Sequence, residues 1–112
     1  MRLEVHVDDD GFVIDVQDKL VREAEDFFAK MDEDMAAGIQ LGRQWVEKPS
    51  VEQRCRLVAD KLLNAVMRAD EQSSLMMAGY ILSRIPGTEG VRLDTSGDMV
   101  GTEFLHEPTV AP

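Results

Sequence analysis

The chain has 112 residues, 22 acidic against 12 basic side chains, a formal net charge of −10, and 44% apolar residues. That size and apolar content describe one small globular domain rather than a disordered chain. The charge opposes nucleic acid and anionic membrane surfaces, which are recognised through basic patches, and the longest apolar run, residues 75–82, falls far short of the ~20 residues a spanning helix needs.

At the N-terminus, Leu3, Val5 and Val7 alternate with Glu4 and His6, and Phe12, Ile14 and Val16 repeat that period. Asp8-Asp9-Asp10-Gly11 between them has turn composition, so the segment reads as a β-hairpin. A calcium loop is the other reading of those acids. It fails because Gln17 stands where a bidentate carboxylate is required. No secretory segment is evident and Cys55 is the single cysteine, so the expected address is the cytoplasm.

From about residue 15 the period changes. Val16, Leu20, Ala24, Phe27, Phe28, Met31, Met35, Ile39, Gly42 and Val46 step by three and four. That is an amphipathic helix stripe over about residues 17–47, with a break or kink expected near Gly38. Gly38-x-x-x-Gly42 suggests a close backbone approach between packed helices near Trp45. Asp32-Glu33-Asp34 falls off the stripe and reads as a solvated face.

Pro49 ends this region, and Ser50 with Gln53 forms a capping box for a second helix. Its inward stripe is Val51, Cys55, Val58, Leu62, Ala65 and Ala69, which makes Cys55 a buried small hydrophobe. Arg54, Lys61 and Arg68 are seven apart and share one face. They either pair with acids of the first helix or form a docking stripe for a partner. Asp70 or Ser73 caps a third helix ending near Arg84. Leu75, Met76, Met77, Ala78, Tyr80, Ile81 and Leu82 make it apolar nearly all round, as in a central helix or a subunit interface. Strand character returns at residues 91–93 and 99–105, around a turn at Asp94-Thr95-Ser96-Gly97-Asp98.

The expected fold is therefore α+β and mainly helical: an N-terminal hairpin, two to three long helices, and a C-terminal hairpin. Residues 1–106 form the domain and 107–112 a flexible tail. An all-α bundle with irregular termini is the alternative. The two hairpins are expected to share a sheet or to use the helices as a floor.

No catalytic constellation stands out. There are two histidines, His6 and His106, and no helix carries one, which opposes di-iron chemistry and Ser-His-Asp arrangements. No cofactor is implied. The functional expectation is a non-enzymatic interaction domain acting through an acidic surface and an apolar helical face. It is expected as a homodimer, with a basic protein surface as a further partner. Arg54, Lys61, Arg68, Trp45, Met76 and Met77 are the docking candidates. The alternative is a small metal- or ligand-binding domain using His6, Asp15, His106 and nearby carboxylates. The charge is itself patterned: residues 1–37 carry −8, residues 38–88 carry +2 and residues 89–112 carry −4. Part of it can neutralise within the fold.

Overall fold

The computed structural model describes residues 1–96, 98, 99 and 101–106. The sequence-expected tail at 107–112 lies outside the described residues. Among them, the chain forms six strands and four helices. β1 (Arg2–Val7) and β2 (Asp10–Asp15) make the expected hairpin, with Val5 opposite Phe12 and Leu3 opposite Ile14. Two helices follow, α1 (Asp18–Glu23) and α2 (Glu25–Ala36), then a second hairpin, β3 (Ile39–Leu41) and β4 (Gln44–Val46). The long helices α3 (Val51–Met67) and α4 (Glu71–Arg84) lead to β5 (Thr88–Leu93) and β6 (Glu103–His106).

The strands β2-β1-β5-β6 form one sheet in that order, with β1 and β5 parallel and the outer pairs antiparallel. The two terminal hairpins therefore share a sheet, and the whole helical region is the crossover between them. Leu3, Val5, Val91 and Leu93 on one sheet face are buried with Phe28, Val58, Leu62 and Ile81 from the helices. Glu4, Val13, Arg92 and Glu103 lie exposed on the strands. The fold is thus α+β, and the all-α alternative does not hold.

The continuous helix expected over residues 17–47 is a correction. The stripe is real through Met35: Val16, Ala24, Phe28 and Met35 are buried. The helix is interrupted at Ala24, where the backbone opens to φ −89° and ψ 2°. It then ends at Gly38, whose φ of +138° only glycine adopts readily. Beyond it, Ile39 and Leu41 are buried and Gln40 is exposed, the alternation of a strand. Ile39, Gly42 and Val46 also fit helical spacing, and over so short a window the two periods cannot be told apart. Gly38 and Gly42 are not part of a helix pair. A Cβ on Gly38 would meet the Trp45 ring at 2.5 Å, and one on Gly42 would meet the Asp98 carbonyl oxygen at 2.5 Å. The close approach is real, but it belongs to a hairpin.

Both helix starts follow sequence chemistry. Ser50 Oγ accepts from the Gln53 N–H at 3.2 Å, while Gln53 Oε1 accepts from the Ser50 N–H at 2.9 Å. Asp70 caps α4, accepting from the Ser73 N–H at 3.1 Å and its hydroxyl at 2.8 Å. These bonds to Ser73 hold the Asp70 carboxyl below its usual range. On α4, Ala78, Gly79, Tyr80, Ile81 and Leu82 are buried within the chain. Its central position accounts for these residues, while Leu75, Met76 and Met77 stay part-exposed, Leu75 and Met77 each lining an open groove.

Candidate functional site

Two features of α2 face opposite ways. One is a polar wedge between α2, α3 and α4. Asp32 accepts from the Tyr80 hydroxyl and from Arg84 Nε at 2.9 Å. The Arg84 guanidinium also makes a two-pronged contact with Glu25, at 2.9 and 3.0 Å. It lies over the rings of Phe28 and Tyr80, at 5.8 and 5.3 Å from their centroids. Arg54 Nε sits 3.3 Å from Asp32, close enough for an ion pair but poorly aligned for a hydrogen bond. Its Nη1 donates to the Pro49 carbonyl at 2.8 Å.

This wedge changes two sequence readings. Asp32 is not on a solvated face; its side chain is 29% exposed and organises three partners. Arg54 pairs with an acid of the first helical region, the first of the two readings of its stripe, and that acid is Asp32. Cys55, next to it, is buried as expected. Burial pushes its thiol up to about 12, despite the opposing pull of Arg54. A thiol held neutral at physiological pH is a poor nucleophile. Burial, with the hydrogen bond to Asp32 second, also raises the Tyr80 phenol well above its usual range. The wedge is built to hold three helices together.

On the other side of α2 lies an open groove of about 450 Å³. Phe27 and Met31 of α2, Leu57 of α3 and Met77 of α4 line it, and Trp45 of β4 adds an aromatic wall. Phe27 is 49% exposed and Trp45 61%. Gly38 lets the indole lie against the backbone, which positions this wall. Asp34 and Lys61 also line the groove. Asp34 is paired with Lys30 at 3.0 Å, whereas Lys61 has no ion-pair partner among the described residues. Such a lining offers flat aromatic contact, adaptable thioethers and one cation.

Three of the six docking candidates therefore meet: Trp45, Lys61 and Met77. The other three do not line this groove. Arg54 belongs to the wedge, and Arg68 lines a separate shallow pocket with Asn64, Met67 and Lys61 toward the far end of α3. Met76 packs against the core, half-buried. Arg54 is thus drawn out of the stripe into the wedge, while Lys61 and Arg68 still share one surface of α3. Phe27, Met31 and Leu57 were missed as groove residues. Adjacent Phe27 and Phe28 both fit the buried stripe, but a helix can centre only one of them on the core. The spacing of Phe27, Met31 and Asp34 by four and three was the available signal for a second face.

The sheet does not bring His6, Asp15 and His106 together. His6 on β1 is opposite Arg92, whose partner on β6 is Glu103, while His106 is opposite Thr88. The two histidines are two strands apart, about 10 Å, and displaced about 10 Å along the strands. Asp15 is opposite Arg2, four residues along from His6. His6 has Glu4 at 3.7 Å, and His106 lines a shallow pocket with Glu52 and Arg84. Among the described residues, no three His, Cys, Asp or Glu side chains cluster as metal ligands would. Likewise, no helix is long and apolar enough to cross a membrane.

The sequence matches no known protein family, and no curated protein or solved structure is similar enough to match it.

Proposed function

We propose that this protein is a non-enzymatic interaction domain of the cytoplasm that takes an apolar segment of a partner protein into the groove between α2, the β3–β4 hairpin and α3. The observation that carries this reading is the pair of exposed aromatic rings, Phe27 and Trp45, that line one groove together with apolar Met31, Leu57 and Met77. Binding energy concentrates in such aromatic anchors, and methionines adapt the lining to the incoming side chains. The net charge of −10 selects a partner whose flanking surface is basic.

Trp45 is the only tryptophan, so its emission reports directly on the groove. The probe is an amphipathic helical peptide of leucine and lysine, with a leucine–glutamate peptide as control. The lysine peptide is expected to shift Trp45 emission to the blue, and added salt to weaken it. Met31→Lys is expected to abolish the shift without unfolding the protein. Equal response to both peptides, or none to either, would sink the proposal. The homodimer reading is tested in the same preparation by sedimentation at several concentrations. Self-association lost on Trp45→Ala would make a second copy the occupant of the groove.

A further inference from the structure

A second surface lies on the opposite side of the sheet's first strand. β2 is an edge strand among the described residues, with β1 on one side only. Met1 and Val16 exchange both backbone bonds, N–H of Val16 to O of Met1 at 2.7 Å and the Met1 ammonium to O of Val16 at 2.6 Å. Antiparallel ladders alternate, so Ile14, Phe12 and Asp10 also bond to β1. The N–H and C=O groups of Gly11, Val13 and Asp15 are therefore directed to the open edge.

The edge is apolar where it is open. Phe12 and Val13 are exposed, and no proline or bulge protects the strand. Phe12 and Ile14 share the helix-facing side with buried Val5 and Leu3. Beside them is a groove of about 440 Å³, whose other wall is Val66, Ala69 and Leu75 at the α3–α4 turn. A strand added to β2 would place its inward side chains in that groove, extending the core by one strand.

Charge decides what kind of strand fits. Asp8, Asp9 and Asp10 stand at one end of the edge and Asp15 at the other, with Glu71 lining the groove. Against them the hairpin has Arg2, opposite Asp15. A second copy of β2 would bring the same carboxylates alongside the first set, which repel. We infer that β2 accepts an extended basic segment of another protein, with alternate apolar residues facing Val66 and Leu75 and lysines or arginines meeting the acids. This surface is independent of the Trp45 groove, so either can fail alone.

The test uses isotope-labelled protein and a short synthetic peptide alternating valine and lysine. Backbone hydrogen exchange at Gly11, Val13 and Asp15 is expected to slow on binding, while the already protected Phe12 and Ile14 change little. Val13→Pro leaves the β1–β2 ladder intact, because that N–H is not in it, and is expected to weaken binding roughly tenfold. The same peptide N-methylated on its bonding edge needs no protein variant and is expected not to bind. A valine–glutamate peptide binding as well as the lysine peptide would overturn the inference. So would undiminished binding of the N-methylated peptide, or self-association that Val13→Pro abolishes.

Discussion

Phe27 and Phe28 are neighbours on α2, with ring centroids 6.3 Å apart and planes at 66°, yet they meet opposite surroundings. Phe28 is fully buried, edge-on to Tyr80 at 5.9 Å and beneath the Arg84 guanidinium. Phe27 is half exposed and forms a wall of an open groove. One side of the helix is closed by a charged clamp from α4. The other is left without cover, although its residues are as apolar. What separates the two is the supply of long-range partners: Asp32 and Glu25 hold Arg84 over Phe28, and among the described residues no comparable pair closes the groove over Phe27.

The comparison is broken most severely at Phe28. Phe28→Ala removes a fully buried ring, and is expected to cost about 3–5 kcal/mol in urea denaturation. Asp32→Ala comes next. It strands the Tyr80 hydroxyl and takes one acidic partner from each of two arginines, Arg84 keeping Glu25 and Arg54 the Pro49 carbonyl, with an expected loss of about 2–3 kcal/mol. That is below the cost for a fully buried ion pair because Asp32 keeps some solvent contact. Tyr80→Phe removes only one of those contacts and is expected to cost about 1 kcal/mol. A Tyr80→Phe loss as large as that of Asp32→Ala would place the clamp's strength in the hydroxyl rather than the charges.

The clamp side also carries the pH dependence. Cys55 ionises near 9 when unfolded but only near 12 in the folded protein. A raised folded value means stability is fully present below about 9 and is lost as pH rises toward about 12. The slope from this group reaches roughly 1.4 kcal/mol per pH unit, and Tyr80 acts in the same direction. Denaturation curves across that range should show the fall, and Cys55→Ala should remove part of it. A profile identical in the variant would refute the role of the buried thiol. The smallest effect is expected on the groove side. Phe27→Ala should cost about 1 kcal/mol or less, because the ring is half in water already. A loss as large as that of Phe28→Ala would mean that Phe27 is structural and that the groove is closed in solution.

Much of the architecture was legible from residue order. The alternation at residues 2–16, the capping box at Ser50 and the Asp70 cap all produced the elements expected of them. Local chemistry sufficed there, because strand period and cap geometry involve neighbours only. Cys55 was placed correctly for the same reason. The β3–β4 hairpin was not legible, since Ile39, Gly42 and Val46 satisfy two periods at once. Of the candidate site, Trp45, Lys61 and Met77 were singled out by residue type, but nothing in their spacing joined them.

By itself, then, the sequence determined the terminal hairpins, the long helices, their caps and an acidic surface with few cations. These follow from period, capping and charge, which act over a few residues or over the whole composition. The tertiary structure decided which helix faces were left open. It placed Asp32, remote in sequence from Tyr80 and Arg84, where both could donate to it. It also put β1 beside β5, which left β2 as an edge. Such outcomes depend on contacts between distant segments, where shape and charge across a helix crossing or a sheet order have no counterpart in local pattern.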